Sequence, residues 1–431
     1  MNLLILPNQL FNIKYISKEY SSITIWENPH YFNDYKYNKK KLILHRASMK
    51  YYYQYLKNKN RKVFYCEFDK TPKINNYYLF DPINDISLLN LPSKYTIIES
   101  PNFLLTKDNY NDYRNKTDKF FFNSFYMWGK KIIDIIPDVK SQDKENRKKM
   151  PKDIKIPETI INKDKNDKKY IDEAIKYVNL HFSDNYGVVE DFMFPISQKT
   201  AKQWLNNFIN NKFKLFGDYQ DFMDKNNDFL FHSLLSTSIN IGLINPLEII
   251  KSIMKLKNIP MNSYEGFIRQ LFWREYQRYC YIFFNFNNKN YFENNKKLSK
   301  IWYYGETKIK PVDDCIIKGF YTGYLHHIER LMIIGNYMNL CGISPKEGFK
   351  WFMEFSCDSY EWVMKQNVLD MVFFCSGGQT MRRPYICSSN YILKNSNYQK
   401  DEWCKRIDLL YHDFLKNNKE KLTKYKYYYK L

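Results

Sequence analysis

The 431-residue sequence predicts an α/β N-terminal domain followed by an all-helical C-terminal domain. Short apolar runs alternate with amphipathic stretches in residues 1–135, a pattern typical of strands and helices around a parallel sheet. A charged segment with spaced prolines, 136–168, predicts an extended connector. From 169 to 431 the apolar residues recur at three- and four-residue spacing, which indicates helices that bury one face.

The apolar runs of the N-terminal domain place its strands, and amphipathic stretches such as Ala47–Lys57 place helices between them. The predicted strands are Leu3–Leu6, Ile23–Trp26, Lys41–Leu44, Val63–Cys66 and Tyr95–Glu99. No Gly-x-Gly-x-x-Gly sequence occurs, which argues against a standard dinucleotide-binding fold. In the C-terminal domain, helices are predicted at 199–214, 261–283, 321–342 and 345–357.

The chain is strongly basic, since 67 Lys and Arg against 46 Asp and Glu leave a net charge of +21. A globular chain with this charge suggests a polyanionic partner such as nucleic acid. Compositional drift is the alternative, because Lys, Asn, Tyr and Ile, which have AT-rich codons, are abundant. Both interpretations stay open on charge alone.

Eight scattered cysteines without a Cys-x-x-Cys pair argue against a zinc ribbon or a thioredoxin-like site. The N-terminus, Met1–Leu6, lacks the basic region of a signal peptide, so the cysteines are expected to be reduced thiols. No run of eighteen apolar residues exists that could span a membrane. These features predict a soluble, intracellular protein.

Two segments carry side chains that suit a phosphate-bearing ligand and an extruded base. Ser233, Ser236 and Thr237 stand at the start of a predicted helix, where hydroxyls and free N–H groups can hold a diphosphate; an ordinary helix cap is the alternative. On a helix over 265–276, Arg269 and Trp273 share one face, which suits base stacking beside phosphate contacts. A core tryptophan with solvated arginines would give the same pattern.

The span Tyr324–Pro384 is the most informative, because it gathers paired histidines, indoles and amides. A pair such as His326 and His327 on a helix commonly has one buried and one exposed member without a catalytic role. With Trp351 and Asn367, however, the span also suits a flat redox cofactor.

Together with Leu4–Gln9, Glu27–Phe32 and Lys41–Met49, this span resembles the cryptochrome/photolyase superfamily, in particular the deoxyribodipyrimidine photolyase-related group. The resemblance covers nearly the whole chain. It implies a Rossmann-like α/β antenna-type domain at 1–135, a charged connector at 136–168, and an all-α FAD- and DNA-binding domain at 169–431.

The resemblance also implies roles for individual residues. His327, Tyr385 and Trp273 would form the catalytic site. Contacts to FAD would come from Tyr219, Ser233, Ser236, Thr237, Gly242, Gln270, Asn367 and Tyr391. Electrons would pass through Trp351 and then Tyr303 or Trp302. Arg269 and Arg274 would contact DNA, and Asn8, Gln9 and Glu27 would contact a ribityllumazine-type antenna.

The function implied is light-dependent repair of UV-damaged DNA by a monomer, in the cytoplasm or the compartment that holds the DNA. His327 favours (6-4) photoproducts, because oxygen transfer between two bases is assisted by a proton donor. Alternatives are a cyclobutane dimer photolyase, a cryptochrome-like blue-light receptor, and a decayed photolyase that only binds nucleic acid.

The sequence departs from the group at two places. Many members hold an iron–sulfur cluster on four cysteines; here Cys315 and Cys404 stand near two ligand positions, but Gln399 begins a stretch where a Cys-x-x-Cys is usual. We therefore predict no metal centre, as in the cluster-free branch of the group. In addition, Ser376 replaces a usual Asp, and Asp370 a usual Gly.

Overall fold

The computed structural model describes residues 1–92, 94–162 and 164–429. Its N-terminal part contains a five-stranded sheet in the order β3-β2-β1-β4-β5 in which every neighbouring pair is parallel. The strands are β1 (Asn2–Ile5), β2 (Ser22–Trp26), β3 (Val63–Cys66), β4 (Tyr77–Phe80) and β5 (Tyr95–Ile98). Leu3 lies beside Ile23 on one side and Tyr78 on the other. The predicted parallel α/β domain is confirmed.

One predicted strand is wrong and one strand escaped prediction. Lys41–Leu44 lies in helix α1 (Lys39–Asn58), whose first turn is capped by the Asn38 side chain. The run is buried on all sides, so it shows no helical period over four residues. Strand β4 was not predicted.

The remaining chain is mainly helical, as predicted. The helices are α2 (Lys107–Lys116), α3 (Phe122–Ile132), α4 (Lys165–His181), α5 (Gln198–Asn211), α6 (Phe213–Tyr219), α7 (Ser236–Asn240), α8 (Pro246–Ile253), α9 (Met261–Phe283), α10 (Ile301–Tyr304), α11 (Lys310–Thr322), α12 (Asn336–Leu340), α13 (Pro345–Phe355), α14 (Glu361–Met364), α15 (Ser389–Lys394), α16 (Glu402–Asn417) and α17 (Lys419–Leu422). None of the helices in the described ranges is long and apolar enough to cross a bilayer.

Two segments of the C-terminal part are π-helical, Glu329–Gly335 and Lys365–Val372. The first lies within the predicted helix 321–342, which the structure divides into the end of α11, a turn, the π-helical segment and α12. Segments of this kind are uncommon and are often found at functional sites, because they change the direction in which neighbouring side chains point.

The connector is largely irregular and is anchored to the helices. The backbone N–H of Gln142 donates to the Glu265 carboxylate at 2.9 Å, and that of Lys148 donates to the Asp218 carbonyl at 3.1 Å. Between them, Asn146 is almost fully buried. Helix α3, which precedes the connector, packs on α9. The domain limits 1–135, 136–168 and 169–431 stay a prediction.

The start of α1 joins the two parts of the molecule. The Asn38 side chain donates to the Phe320 carbonyl at 2.9 Å, and Lys41 Nζ donates to Ser359 Oγ at 3.2 Å and to the Ser359 carbonyl. Burial lowers the pKa of Lys41 to about 7. A lysine taken out of water at this position requires the helical part to supply its acceptors.

Candidate functional site

A cavity with two adjoining lobes lies among the C-terminal helices. The inner lobe encloses about 270 Å³ and the outer lobe about 500 Å³. The walls are formed by side chains of α9, of the loop before α7 and of the segments around both π-helices. The polar side chains that face both lobes are Gln220, Asp221, Ser233, Ser236, Gln270, His327, Arg330, Asp358 and Asn367.

Two stacked histidines line the inner lobe. The rings of His232 and His326 have centroids 4.7 Å apart and planes 23° apart. Within the described residues, His232 Nε2 and both ring nitrogens of His326 have no hydrogen-bond partner; Glu329 Oε2, at 3.8 Å from His326 Nε2, is too distant. Burial, followed by neighbouring positive charge, holds the pKa of both rings well below the usual value, so both are neutral at pH 7. Unpaired nitrogens at a cavity wall suit a polar ligand.

A buried ion pair forms another part of the wall. Arg330 donates to both Asp358 oxygens, at 2.9 and 3.1 Å, and its Nε donates to the Leu325 carbonyl at 2.6 Å. Burial works to raise the pKa of Asp358, but the Arg330 charge and hydrogen bonds outweigh it and hold that pKa below its usual value. Sequence analysis did not identify this pair. Its only signal was the position of Arg330, three residues after His327.

His327 stands where the two lobes meet, with its ring exposed to the cavity. The surrounding protein, and secondly the Arg330 charge, lower the pKa of His327 to about 4. The ring is therefore a neutral imidazole at physiological pH, with one N–H to donate. Asn367 also faces both lobes, and its amide N–H donates to the Val363 carbonyl at 2.9 Å.

Several aromatic side chains line the outer lobe. Trp273 lies face to face with Phe122, with ring centroids 3.6 Å apart and planes 7° apart. Tyr385 and Tyr391 also line the lobe. The Arg383 guanidinium, which sequence analysis did not single out, lies 5.3 Å from the Tyr385 ring centroid. This combination of flat faces and a cation suits stacking against a base.

The connector supplies the remaining wall of the outer lobe through Ser141, Asp143 and Arg147. Arg147 pairs with Asp143 at 3.1 Å and with Asp221 at 3.0 Å. Asp143 in turn pairs with Arg269 at 3.0 Å. The segment predicted as an extended surface connection therefore also shapes the site.

Comparison with known proteins identifies the family of this chain. The sequence model of the deoxyribodipyrimidine photo-lyase-related proteins matches residues 3–87 and 73–194. The (6-4) photolyase of Agrobacterium fabrum is 37% identical over 298 residues, which cover 65% of this chain and 58% of that protein. Three uncharacterized proteins of Acanthamoeba polyphaga mimivirus also match. One is 53% identical over 21% of this chain and 74% of its own length, and a second is 40% identical over 24% and 85%. The third is 32% identical over 35% of this chain and 96% of its own length. The chain belongs to the deoxyribodipyrimidine photolyase-related family.

Solved photolyase structures share the fold of this family member. A bacterial class III photolyase from Agrobacterium tumefaciens superimposes with a TM-score of 0.56 at 15% identity, over 89% of this chain and 81% of that one. An archaeal photolyase from Sulfolobus tokodaii gives a TM-score of 0.50 at 14% identity, over 86% and 82%. The predicted photolyase/cryptochrome architecture is confirmed.

The cavity brings together most of the site residues that the resemblance to the photolyase-related family implied. Those that line it are Trp273, His327, Tyr385, Ser233, Ser236, Gln270, Asn367, Tyr391, Arg269 and Arg274. Their roles toward a cofactor or a lesion stay predictions.

Three residues predicted to contact the cofactor lie away from the cavity. Tyr219 packs in a separate apolar cluster against Phe231, with ring centroids 5.6 Å apart. Thr237 is buried behind the wall, and its hydroxyl has no partner among the described residues. Gly242, with φ +85°, lies against Phe11, because a Cβ there would be 2.4 Å from Phe11 Cδ1. This glycine serves close packing with the N-terminal part and does not face the cavity.

The two arginines predicted to bind DNA are already engaged within the protein. Arg274 is buried; its Nε donates to Asn240 Oδ1 at 3.0 Å and its Nη1 to the Asn102 carbonyl at 2.7 Å. Arg269 is also buried and pairs with Asp143. Both side chains line the outer lobe, and their role in DNA binding stays a prediction.

The predicted electron-transfer residues lie behind the inner lobe. Trp351 is fully buried and touches the wall residue Phe352, with ring centroids 5.2 Å apart. Its indole N–H donates to the Trp302 carbonyl at 2.7 Å. The Trp302 ring instead packs on Tyr337 at 5.3 Å. Tyr303 reaches Trp351 through Phe320.

The predicted antenna contacts are mostly occupied by the protein. The Glu27 carboxylate accepts hydrogen bonds from Arg46, Tyr65 and Tyr177 at 2.9, 2.5 and 2.8 Å. The amide of Gln9 donates to the Phe80 carbonyl at 2.7 Å and accepts from the Leu6 N–H at 3.1 Å. The role of Glu27 and Gln9 as antenna contacts stays a prediction. Asn8 donates to the Pro82 carbonyl at 3.0 Å, and its Oδ1 is buried without a partner in the described chain.

Ser376 and Asp370, the two residues that depart from the family pattern near Gly377 and Gly378, bind each other. The Ser376 N–H and hydroxyl donate to the two Asp370 oxygens at 2.7 and 2.6 Å, and Thr380 donates to the same carboxylate. Asp370 and Ser376 therefore both have hydrogen-bond partners within the same turn.

Cys315 and Cys404 are buried free thiols. Across residues 1–92, 94–162 and 164–429, no group of three or more His, Cys, Asp or Glu side chains is placed to hold a metal ion. The absence of an iron–sulfur cluster stays a prediction.

Proposed function

We propose that this protein is a light-dependent DNA repair flavoenzyme that acts on (6-4) pyrimidine photoproducts. The observation that carries the proposal is the exposed His327 ring at the junction of the two cavity lobes. The similarity to a (6-4) photolyase, of which this chain spans 58%, supports it.

The inner lobe suits FAD in its chemistry. His232 and His326 offer unpaired ring nitrogens, Ser233 and Ser236 offer hydroxyls, and Asn367 offers an amide. These side chains would hold the cofactor, with Gln270 on the opposite wall. FAD, when bound, supplies one-electron chemistry driven by blue light. The Arg330–Asp358 pair would give this environment a fixed, nearly neutral polar surface.

The outer lobe would receive the lesion after it leaves the base stack. Trp273 and Tyr385 would stack against its bases, which requires Phe122 to move or to share the stack. Since the His327 ring is neutral, its N–H can donate a hydrogen bond to the lesion and assist oxygen transfer between the two bases.

UV-damaged DNA is the proposed partner, bound by a monomer. The net charge of +21 supports contact with the phosphate backbone. Arg383 at the outer lobe and its exposed neighbour Arg382 are better placed for this role than Arg269 and Arg274. We also propose a ribityllumazine antenna in the N-terminal part, where Asn8 Oδ1 is buried without a partner in the described chain.

The test is reconstitution with FAD followed by blue light and an oligonucleotide that contains one (6-4) photoproduct. We expect flavin absorption and light-dependent loss of the lesion. His327→Ala should keep the flavin and lose repair by about 100-fold, the scale of a lost proton donor. His412→Ala, on the exposed face of α16, is the matched control.

Other outcomes would redirect the proposal. Repair of a cyclobutane dimer alone would reassign the substrate. Flavin uptake without repair of either lesion would favour a blue-light receptor. A protein that takes up no FAD would exclude both.

A further inference from the structure

The C-terminal segment 419–429 is attached at two points to the chain around the outer lobe. At the first point, Tyr425 donates its hydroxyl to the Gly377 carbonyl at 3.1 Å, and Lys424 Nζ donates to the same carbonyl at 2.9 Å. A Cβ at position 378 would lie 2.6 Å from the Tyr425 hydroxyl oxygen, so Gly378, with φ +102°, leaves the space that this tyrosine fills. The Gly-Gly turn therefore holds the start of the segment.

The second attachment point lies at the wall of the outer lobe. The Tyr429 hydroxyl donates to the Pro384 carbonyl. Pro384 separates two residues that line the lobe, Arg383 and Tyr385. The Arg383 guanidinium lies 4.6 Å from the Tyr428 ring centroid and 5.3 Å from that of Tyr385, so two aromatic rings hold it. The segment thus helps to fix a cation at the wall of the outer lobe.

The residues between the two attachment points present basic and aromatic side chains to solvent. Lys426 is exposed, and Tyr427 is 92% exposed. Arg382 and Lys424 are exposed as well. The segment contains four lysines and one glutamate, so its own electrostatic field is positive. The flat face of Tyr427 is therefore accessible to a partner within this positive field.

A positive strip that includes an accessible aromatic ring matches the chemistry of a nucleic-acid strand. Lysine and arginine pair with phosphates, and a tyrosine ring stacks on a base. The strip is continuous with the outer lobe, because Arg383 lines the lobe and also contacts Tyr428. A DNA strand whose lesion enters the lobe must continue past this wall, which brings its flanking nucleotides to the strip.

We propose that residues 424–428, together with Arg382, form a docking strip for the lesion-bearing DNA strand beside the outer lobe. The inference rests on the proposed function, because the partner is DNA whose lesion occupies that lobe. Lys426 and Arg382 contact phosphates of the flanking nucleotides. Tyr427 stacks on a flanking base that loses its stacking partner when the lesion leaves the helix.

Fluorescence anisotropy in the dark, with a duplex that contains one (6-4) photoproduct, tests the charged part of the strip. The double variant Arg382→Gln with Lys426→Gln should reduce the slope of log affinity against log salt by about 2, because two phosphate contacts are lost. The double variant Lys59→Gln with Lys62→Gln is the matched control. It removes the same charge at exposed positions of the N-terminal part and should leave the slope unchanged.

The aromatic part is tested by Tyr427→Ala. This variant should bind the damaged duplex about tenfold more weakly and the undamaged duplex almost unchanged, because only the damaged duplex offers an unstacked flanking base. Tyr427→Phe keeps the ring and should bind like the wild type. Tyr304→Ala, which removes another exposed tyrosine, on α10, is the matched control and should not alter binding.

Equal salt slopes of the two double variants would overturn the docking strip, as would a Tyr427→Ala protein that binds both duplexes like the wild type or weakens both equally. If the wild type still takes up FAD and repairs the lesion, the proposed function stands in either case. A wild type that takes up no FAD and does not distinguish the damaged duplex would overturn the proposed function and the docking strip together.

Discussion

At the scale of single residues, the Arg330–Asp358 pair shows how strongly the cavity depends on a few polar contacts. The two side chains are 13% and 10% exposed. Desolvation of each charge is offset by its partner, by the Arg330 hydrogen bond to the Leu325 carbonyl and by the Ser356 hydroxyl, which donates to Asp358. Removing one member would leave the other charged, buried and unpaired.

Asp358→Asn should therefore lower the free energy of unfolding by about 3 kcal/mol at pH 7, measured by urea denaturation. The double variant Arg330→Gln with Asp358→Asn should recover part of this loss, because no unpaired charge remains. Since the pKa of Asp358 is lowered in the folded protein, its contribution is present above about pH 4 and disappears as pH falls through the folded value. Equal stability of the single variant and the wild type at pH 7 would contradict this account.

His327 gives a second prediction at this scale. A ring whose folded pKa is about 4, against about 6.5 when unfolded, favours the folded state above pH 6.5 and loses that contribution as pH falls toward 4. Nuclear magnetic resonance of the imidazole should show a neutral ring at pH 6 and a midpoint near 4. A midpoint near 6.5 would mean that the ring is open to bulk water.

Individual site residues could be predicted from the sequence where reactive or polar side chains stand close together in one short motif. Ser233, Ser236 and His327 do line the cavity. Gly242 was placed by its position in a motif, but its partner Phe11 lies more than two hundred positions away in the sequence, and such a contact has no local pattern. Arg330 and Asp358 were not predicted as a pair for the same reason: a charged residue indicates exposure to solvent unless its partner is known.

At the scale of elements, the crossing of α6 and α9 fixes the floor of both lobes. Gly217 on α6 accepts a close approach: a Cβ there would lie 2.4 Å from the Ser263 backbone nitrogen, and the Gly217 N–H donates to Ser263 Oγ at 2.9 Å. Gln220 and Asp221, just beyond this crossing, face both lobes. The distance between the helices thus sets the position of part of the wall.

Gly217→Ala should force the helices apart and lower the free energy of unfolding by about 2 kcal/mol, in the range of overpacked sites. It should also weaken FAD binding. The matched control is Gly266→Ala on α9, where the added Cβ would meet side-chain ends alone among its nearest atoms, Gln220 Nε2 at 3.0 Å and Asn146 Nδ2 at 3.7 Å. If both variants are equally stable in thermal unfolding, the close crossing is not what positions the wall.

The elements themselves were predictable where their pattern was unambiguous. Val63–Cys66 is a strand at the predicted bounds, and Met261–Phe283 is a helix over the predicted range. Lys41–Leu44 was misassigned because the helical part covers the face that would otherwise show polar residues. Strand β4, Tyr77–Phe80, lacks the aliphatic run of its neighbours. Tertiary contacts, rather than local sequence, decide both cases.

At the scale of the whole molecule, the charge of +21 makes DNA binding sensitive to salt. If about six phosphates are contacted, affinity should fall about 1,000-fold between about 50 and about 200 mM salt. Fluorescence anisotropy with a labelled duplex measures this directly. Damaged and undamaged duplexes should show the same salt slope, because backbone contacts carry no sequence information. An affinity independent of salt would identify the charge as compositional drift.

Gly242 lies at the contact between the N-terminal sheet and the C-terminal helices, which limits the residues that this position can accept. The loop around it touches the N-terminal part through Phe11 and through the hydrogen bond from the Leu10 N–H to the Ile241 carbonyl, at 2.9 Å. Any side chain at position 242 would act as a wedge between the sheet and the helices. A smaller residue at position 11 would relieve the contact but not the backbone strain, because φ +85° at position 242 favours glycine.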